Sequence, residues 1–298
     1  MRLQSKEPEK MKAPIFIVGT GRSGTTILFN LLKEHPNNYW LSHFMNKYPE
    51  HISLNNTVLR IIDWPILGAT IKNRVKPAEA YPFWNKLFPG FSMPCRDLFV
   101  EDLTPIIKKA FHNTISKCFT PNRNQFIAKF TGWPRIGFLQ AIYPEAKFIH
   151  IKRDGRAVAN SLFNYPLWNG WYGPENWRWG NLSRELALQW DKYQRSFLIL
   201  AAMQWVILEK AFKEAIRKNK KKSVLSIKYE SLCSNHLTVL KKITEFCGLE
   251  WTQTFESRLK KYQIYNANKK WHTELSEIQK KTLQNFLKEY LEKFGYTD

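Results

Sequence analysis

Short runs rich in apolar residues alternate with longer segments of helical periodicity along this chain of 298 residues. Four runs predict buried strands, at residues 15–18, 126–130, 147–151 and 224–228. Between these runs, apolar positions recur at helical spacing, and capping residues, proline or glycine mark the ends of the segments. Strands that alternate with helices predict an α/β fold, with a mostly parallel sheet flanked by helices in a single domain.

The helical segments differ in how clearly their ends are marked. Residues 52–75 read as helix with an interruption at Pro65, because proline removes a backbone donor and breaks the helical ladder. One continuous helix is predicted from a cap at Ser183 to about Lys218. A capping box at Ser276 begins the last helix.

The segment after the first predicted strand, GTGRSGTT at residues 19–26, carries the most specific chemical signal. Its glycines let the backbone turn tightly and approach a ligand, and the helix that begins at Thr25 directs free N–H groups at the loop. The spacing is that of the phosphate loop G-x-x-x-x-G-K-[ST], but Thr25 stands where the lysine belongs, and the nearest cation is Arg22. The loop therefore predicts a phosphate-binding site at Gly21, Arg22, Ser23, Gly24, Thr25 and Thr26.

Cations and hydroxyl groups also follow the other predicted strands. Lys129 lies near the end of the second strand, Arg153 follows the third, and Ser161 lies two turns along the next helix. Tyr229 follows the fourth strand. Open α/β sheets bind ligands at the carboxyl ends of their strands, so these side chains are expected near the glycine loop.

Two segments are unusually rich in aromatic residues and leave two interpretations open. Residues 77–100 hold four prolines, which suits either the lid or wall of a pocket or a rigid surface loop. Residues 165–180 hold four tryptophans, which suits either stacking on a sugar ring or base, or an aromatic cluster that closes the core.

Composition indicates which classes of partner and which cellular compartment to expect for this protein. The net charge of +21 favours anionic partners, which include nucleic acid, membrane surfaces and acidic small molecules or glycans. The four cysteines are scattered without metal-ligand spacing, which predicts reduced thiols and a cytoplasmic protein. No run approaches the ~20 apolar residues of a membrane span, so we expect no transmembrane segment, while contact with a membrane surface stays open. A charged tail at residues 1–13 is expected to precede one domain at 14–298.

Four segments resemble sulfotransferases that use 3′-phosphoadenosine 5′-phosphosulfate (PAPS). GTGRSGTT resembles the 5′-phosphosulfate loop, and KRDGRAVANS resembles the motif whose arginine and serine hold the 3′-phosphate, which implies that role for Arg153 and Ser161. VLSIKYESL resembles the strand that ends in Tyr-Glu-x-Leu, which implies that Tyr229 lies near the adenine. The segment from KKWHTELS to KFGY resembles the C-terminal part of bacterial and tyrosyl-protein-sulfotransferase-like members, which implies a nucleotide contact for Lys270.

The resemblance implies transfer of a sulfuryl group from PAPS to a hydroxyl or amine of an acceptor, such as a small metabolite or a glycan. The product would be adenosine 3′,5′-bisphosphate (PAP), and no metal is expected. A P-loop kinase and a basic nucleic-acid-binding protein are the alternatives. The missing loop lysine argues against the kinase. No basic patch belongs to a recognised nucleic-acid-binding fold, so no nucleic-acid partner is expected.

The resemblance also implies a catalytic pair. Lys129 corresponds in position to the family lysine that follows the second strand, and is expected to stabilise the leaving group. Tyrosyl-protein sulfotransferases place a glutamate base shortly after the His-Pro that ends the first helix. Here His35-Pro36 is followed by His43, and a neutral imidazole can accept a proton as a carboxylate does, so His43 is the predicted base. Glu50 is the reserve candidate.

Overall fold

A computed structural model describes residues 12–65, 67–219 and 221–296, so most of the predicted tail at 1–13 lies outside the described residues. One five-stranded sheet organises the fold, and all of its strand pairs are parallel. The strands are β1 (Ile15–Gly19), β2 (Asn38–Tyr39), β3 (Gln125–Thr131), β4 (Lys147–Lys152) and β5 (Val224–Lys228). Their order is β2-β3-β1-β4-β5, which places β1 at the centre of the sheet.

The predicted α/β class and the four predicted strands are confirmed, and β2 is an addition at the sheet edge. Asn38 and Tyr39 pair in parallel with Gln125 and Phe126 of β3. A strand of two residues is too short to show any periodicity, so β2 could not be predicted from the pattern of apolar residues.

Fifteen α-helices among the described residues surround the sheet. They are α1 (Thr25–Leu32), α2 (Phe44–Lys47), α3 (Ile52–Ile62), α4 (Leu67–Ile71), α5 (Tyr81–Leu87), α6 (Pro105–Ile115), α7 (Ile136–Ile142), α8 (Gly155–Phe163), α9 (Arg184–Lys192), α10 (Phe197–Lys218), α11 (Tyr229–Ser234), α12 (His236–Cys247), α13 (Gln253–Leu259), α14 (Trp271–Glu274) and α15 (Glu277–Phe294). Short 3₁₀ turns lie at Val100–Asp102, Asn169–Tyr172, Lys221–Ser223 and Asn268–Lys270. None of the helices in the described part of the chain combines the length and hydrophobicity of a membrane span.

The predicted single helix from Ser183 to Lys218 is wrong, because the chain breaks it into α9 and α10. Gln194 and Arg195 take left-handed backbone conformations, with φ of 54° and 53°. Consecutive left-handed residues cannot continue a right-handed helix, and neither residue is a glycine that would have signalled the break. The predicted interruption at Pro65, by contrast, separates α3 from α4.

The core has two parts, and the second supports the end of β4. The first part lies around the sheet, where β1 is completely buried. The second part is built on α8, α10 and α15, with the fully buried Trp205 of α10 near its centre. The indole of Trp205 donates to the carbonyl of Arg153 at 3.1 Å, and a Cβ on Gly155 would lie 2.6 Å from its ring. Packing of α10 against α8 therefore fixes the backbone where β4 leaves the sheet.

Candidate functional site

The carboxyl ends of β1, β3, β4 and β5 open into a cleft of about 900 Å³. All but two of the predicted site residues line it, namely Gly21, Arg22, Gly24, Thr25, Thr26, Lys129, Arg153, Ser161, Tyr229 and Lys270. Ser23 and His43 do not line it. Segments up to 249 residues apart in sequence therefore meet at one edge of the sheet, as expected for ligand sites in parallel sheets.

The glycine loop is shaped by its own backbone and by the residue beneath it. Gly24 has φ of 94°, and a Cβ there would lie 2.5 Å from the ring of Tyr229, so only glycine fits. Gly21 has no atom within 4 Å of an added Cβ, so it borders open space. Ser23 is fully buried, and both its hydroxyl and its amide donate to the carbonyl of Thr20. Ser23 therefore stabilises the loop through Thr20, and its contact with a ligand stays a prediction.

Two motifs that are far apart in sequence are joined by hydrogen bonds. Nε of Arg22 donates to Oγ of Ser161 at 2.8 Å, and its guanidinium lies 5.3 Å from the ring centre of Tyr165. Nη1 of Arg153 donates to the carbonyl of Arg22, also at 2.8 Å. Arg22, Arg153 and Ser161 therefore form one group, which we call the arginine corner.

Neighbouring polar groups hold Arg153 rigidly in the arginine corner. Arg153 is 6% exposed, and its Nε donates to Oδ1 of Asn268 at 2.7 Å. Burial lowers the pKa of Arg153, because desolvation disfavours its charged form. Glu230 in turn accepts hydrogen bonds from Nδ2 of Asn268 and from the amide of Asp154. Asn268 and Glu230 therefore orient the arginine, a role that sequence reasoning had assigned to neither residue.

Tyr229 forms a wall of the cleft and is closely packed there. Its side chain is 2% exposed, with Gly24 on one side and the Arg153 guanidinium 4.4 Å from its ring centre. Its hydroxyl donates to the carbonyl of Tyr265 and accepts from the amide of Ala267. Burial raises the pKa of Tyr229. Tyr229 thus supports the glycine loop and the arginine corner, and its contact with the adenine stays a prediction.

A carboxylate that sequence reasoning missed lies beside Lys129. Nζ of Lys129 donates to Oγ1 of Thr26 at 2.9 Å and lies 3.5 Å from Oε1 of Glu79. The hydroxyl of Thr131 donates to the same carboxylate oxygen at 2.8 Å. Ala80, the next residue, takes a left-handed conformation with φ of 52°, a strain that proteins often retain at functional sites. A lone glutamate within an aromatic segment has no spacing signal, so only the tertiary structure reveals Glu79.

The structure does not bring the predicted bases into the cleft. His43 precedes α2, its Nδ1 accepts from the amide of Lys76 at 3.3 Å, and its ring packs 4.2 Å from that of Phe44. Glu50 is 64% exposed and forms an ion pair with Lys86. His43 is thus a partly buried histidine packed against Phe44, Glu50 is a solvated acid, and neither side chain lines the cleft.

The two aromatic segments divide between their alternative interpretations. In residues 77–100, Trp84 and Phe91 are buried in the core, and Glu79 is the residue that lines the cleft. In residues 165–180, Trp168 and Trp179 are buried and also line the cleft. The second segment therefore closes the core and forms a wall of the site at the same time.

A nucleotide with two phosphate groups fits the residues that line the cleft. The open backbone at Gly21 and the start of α1 could hold one anion, and the arginine corner could hold another. Lys270 adds an exposed cation at the rim. Across residues 12–65, 67–219 and 221–296, no three His, Cys, Asp or Glu side chains group as metal ligands would, and metal independence stays a prediction.

This sheet, with its central strand leading through a glycine loop into a helix start, defines an α/β protein with a phosphate-loop-like site. A family model described as the Sulfotransferase family matches residues 14–253, and the chain belongs to that family. The resemblance drawn from the sequence is thereby confirmed. A sequence comparison with curated proteins gives no significant match.

Solved structures share the fold at low sequence identity. Sulfotransferase STF9 from Mycobacterium avium aligns with a TM-score of 0.59 and 16% identity, over 97% of this chain and 78% of that chain. Sulfotransferase STF1 from Mycobacterium tuberculosis H37Rv aligns with a TM-score of 0.51 and 16% identity, over 92% and 77%. The sulfotransferase domain from the curacin biosynthetic pathway aligns with a TM-score of 0.50 and 13% identity, over 95% and 98%.

Proposed function

We propose that this protein transfers a sulfuryl group from PAPS to a hydroxyl or amine of a small-molecule or glycan acceptor. The observation that carries the proposal is the arginine corner, which adds a second anion site to the glycine loop of a chain in the Sulfotransferase family. A nucleotide with phosphate groups on both its 3′ and 5′ positions needs two such sites. When bound, PAPS supplies the activated sulfuryl group.

The hydrogen bonds suggest how the chain divides its contacts with the nucleotide. The loop amides and the start of α1 would hold the 5′ side, because free backbone N–H groups at a helix start bind anions without a charged side chain. Arg153 and Ser161 would hold the 3′-phosphate, as the family motif implies. Arg22 donates to Ser161, so we assign its guanidinium to the 3′ side, whereas the sequence alone had suggested the 5′ side. Lys270 would supply a further cation at the rim.

Glu79 and Lys129 are the proposed catalytic pair. The carboxylate of Glu79 would accept the proton that the acceptor hydroxyl loses as its oxygen bonds to sulfur. The ammonium of Lys129 would stabilise the negative charge on the oxygen that leaves the sulfur. Nζ of Lys129 and Oε1 of Glu79 are 3.5 Å apart. The hydroxyl of Thr131 donates to the same carboxylate oxygen and thereby orients the carboxylate.

Replacing Glu79 by glutamine tests this assignment. Turnover should fall by about 10²–10⁴-fold, the usual contribution of a general base, because the amide cannot accept the proton. PAP affinity should stay nearly unchanged, since Glu79 lies beside Lys129 and outside the arginine corner. The measurement is transfer of radiolabel from [³⁵S]PAPS to a panel of hydroxyl and amine acceptors, together with calorimetric titration of PAP.

Two variants serve as controls. Glu101→Gln removes an exposed carboxylate that does not line the cleft and should retain wild-type turnover. His43→Ala should also turn over normally. Loss of turnover in His43→Ala with normal turnover in Glu79→Gln would return the base to His43. Failure of the wild-type protein to bind PAP would refute the proposed function itself.

A further inference from the structure

Arg178 and Trp179 lie beside the carboxyl end of β3, next to the Glu79–Lys129 pair. Three consecutive residues make the connection: Thr131 donates to Glu79, Gly132 lies under the ring of Trp179, and Nε1 of Trp133 donates to the carbonyl of Arg178 at 3.4 Å. A Cβ on Gly132 would come within 2.8 Å of the Trp179 ring, so the close approach depends on glycine. Both Arg178 and Trp179 line the cleft.

The Arg178 guanidinium has no carboxylate partner within 4.0 Å among residues 12–65, 67–219 and 221–296. Its Nε is buried and finds no hydrogen-bond acceptor in that same part of the chain. The other arginines of the cleft are engaged, Arg22 with Ser161 and Arg153 with Asn268. A partly buried cation without a partner is costly, so an anionic ligand would offset a cost that the fold carries.

Aromatic packing fixes the guanidinium in place. Its carbon lies 4.7 Å from the ring centre of Trp179, which is 5% exposed and therefore rigid. Trp168 continues the same wall, and its indole donates to Gln204 at 2.6 Å. A planar guanidinium held against an aromatic ring keeps its N–H edge in one orientation, which suits the two oxygens of a carboxylate or another oxyanion.

We propose that Arg178 binds an oxyanion of the acceptor, so that the preferred acceptors are hydroxyl compounds that also carry a carboxylate or another acidic group. This inference rests on the proposed sulfuryl transfer and names its substrate class. The proposed nucleotide contacts lie at the ends of β1 and β4, whereas the backbone of Arg178 is hydrogen-bonded to Trp133 just after β3, the strand whose Thr131 holds the proposed base. An acceptor held by its acidic group at Arg178 would therefore present its hydroxyl to Glu79.

Matched acidic and neutral compounds test the inference in the PAP-saturated protein. The probes are 4-nitrophenyl β-D-glucuronide against the corresponding glucoside, and 4-hydroxybenzoate against 4-hydroxybenzamide, measured by calorimetry. The wild-type protein should bind the acidic member about 10- to 100-fold more tightly, as expected for a charge-assisted hydrogen bond. Arg178→Ala should lose most of this preference, and Arg178→Lys should keep part of it. Arg184→Ala, which removes an exposed cation that does not line the cleft, should keep all of it.

The outcomes separate this inference from the proposed function. Equal binding of acidic and neutral partners by the wild-type protein, or no binding of either acid, overturns the inference while PAP binding leaves the proposed function standing. An unchanged preference in Arg178→Ala overturns it as well. If Arg178→Ala weakens PAP alone by a similar factor, Arg178 belongs to the nucleotide site and the inference fails. Absence of PAP binding by the wild-type protein refutes the proposed function.

Discussion

Removal of the Arg153 guanidinium tests whether the arginine corner binds the 3′-phosphate. In the folded protein this group donates to Asn268 at 2.7 Å and to the carbonyl of Arg22 at 2.8 Å, and it packs against Tyr229. Arg153→Ala removes all of these contacts together with one positive charge. Arg153→Lys is the matched variant, because it keeps the charge and loses the planar fork that reaches two acceptors.

The magnitude follows from the number and kind of contacts that a phosphate would lose. A charge-assisted hydrogen bond contributes about 1.5–3 kcal/mol, and each 1.4 kcal/mol corresponds to a factor of about ten in affinity. Arg153→Ala should therefore weaken PAP about 10- to 100-fold. Adenosine 5′-monophosphate lacks the 3′ group, so its affinity should fall only by the few-fold expected from a loosened loop at Arg22.

Calorimetric titration of both nucleotides provides the measurement. The set comprises the wild-type protein, Arg153→Ala, Arg153→Lys, Ser161→Ala and the double variant of Arg153 and Ser161. Because Arg22 contacts both Arg153 and Ser161, the two substitutions should be non-additive, with a coupling of about 0.5–3 kcal/mol. Thermal melting of each variant checks that the fold is retained.

Equal weakening of PAP and adenosine 5′-monophosphate by Arg153→Ala would refute this reasoning. It would mean that Arg153 supports the loop through Arg22 and makes no separate contact with the 3′-phosphate. Fully additive effects of Arg153→Ala and Ser161→Ala would also contradict the view that the corner acts as one unit.

Two further predictions concern metal and pH. Sulfuryl transfer should survive EDTA, because the proposed catalytic cation is Lys129; loss of activity that Mg²⁺ restores would indicate a kinase-like site. Burial raises the pKa of Glu209 to about 8, whereas a glutamate of the unfolded chain has a pKa of about 4.3. At pH values between these two, the folded protein keeps Glu209 protonated, whereas the unfolded chain has lost that proton. Stability should therefore fall as pH rises from about 5 to 8, and Glu209→Gln should flatten this slope in thermal melting; parallel slopes would contradict the assignment.

Elements whose signals are contiguous in the chain could be predicted from the amino-acid sequence alone. Strand β1, its glycine loop and the start of α1 occupy fewer than 20 consecutive residues, and the geometry of such a unit depends mainly on local backbone preferences. Arg153 and Ser161 could be predicted equally well, because their positions are set by the end of one strand and the helix that follows it. Alternation of strands and helices was enough for the α/β class, because parallel strands need crossover helices.

Which distant side chains meet depends on tertiary packing and could not be predicted from local sequence. Glu79 reaches Lys129 from a segment about 50 residues earlier, and Asn268 reaches Arg153 from 115 residues later; no local spacing encodes either contact. His43 was predicted as the base from its distance to the first helix, but its ring packs against Phe44, accepts from the amide of Lys76 and does not line the cleft. Contacts of this kind depend on how whole helices and strands pack against each other. That packing is determined by side chains throughout the core, so it cannot be predicted from residues that are close in sequence.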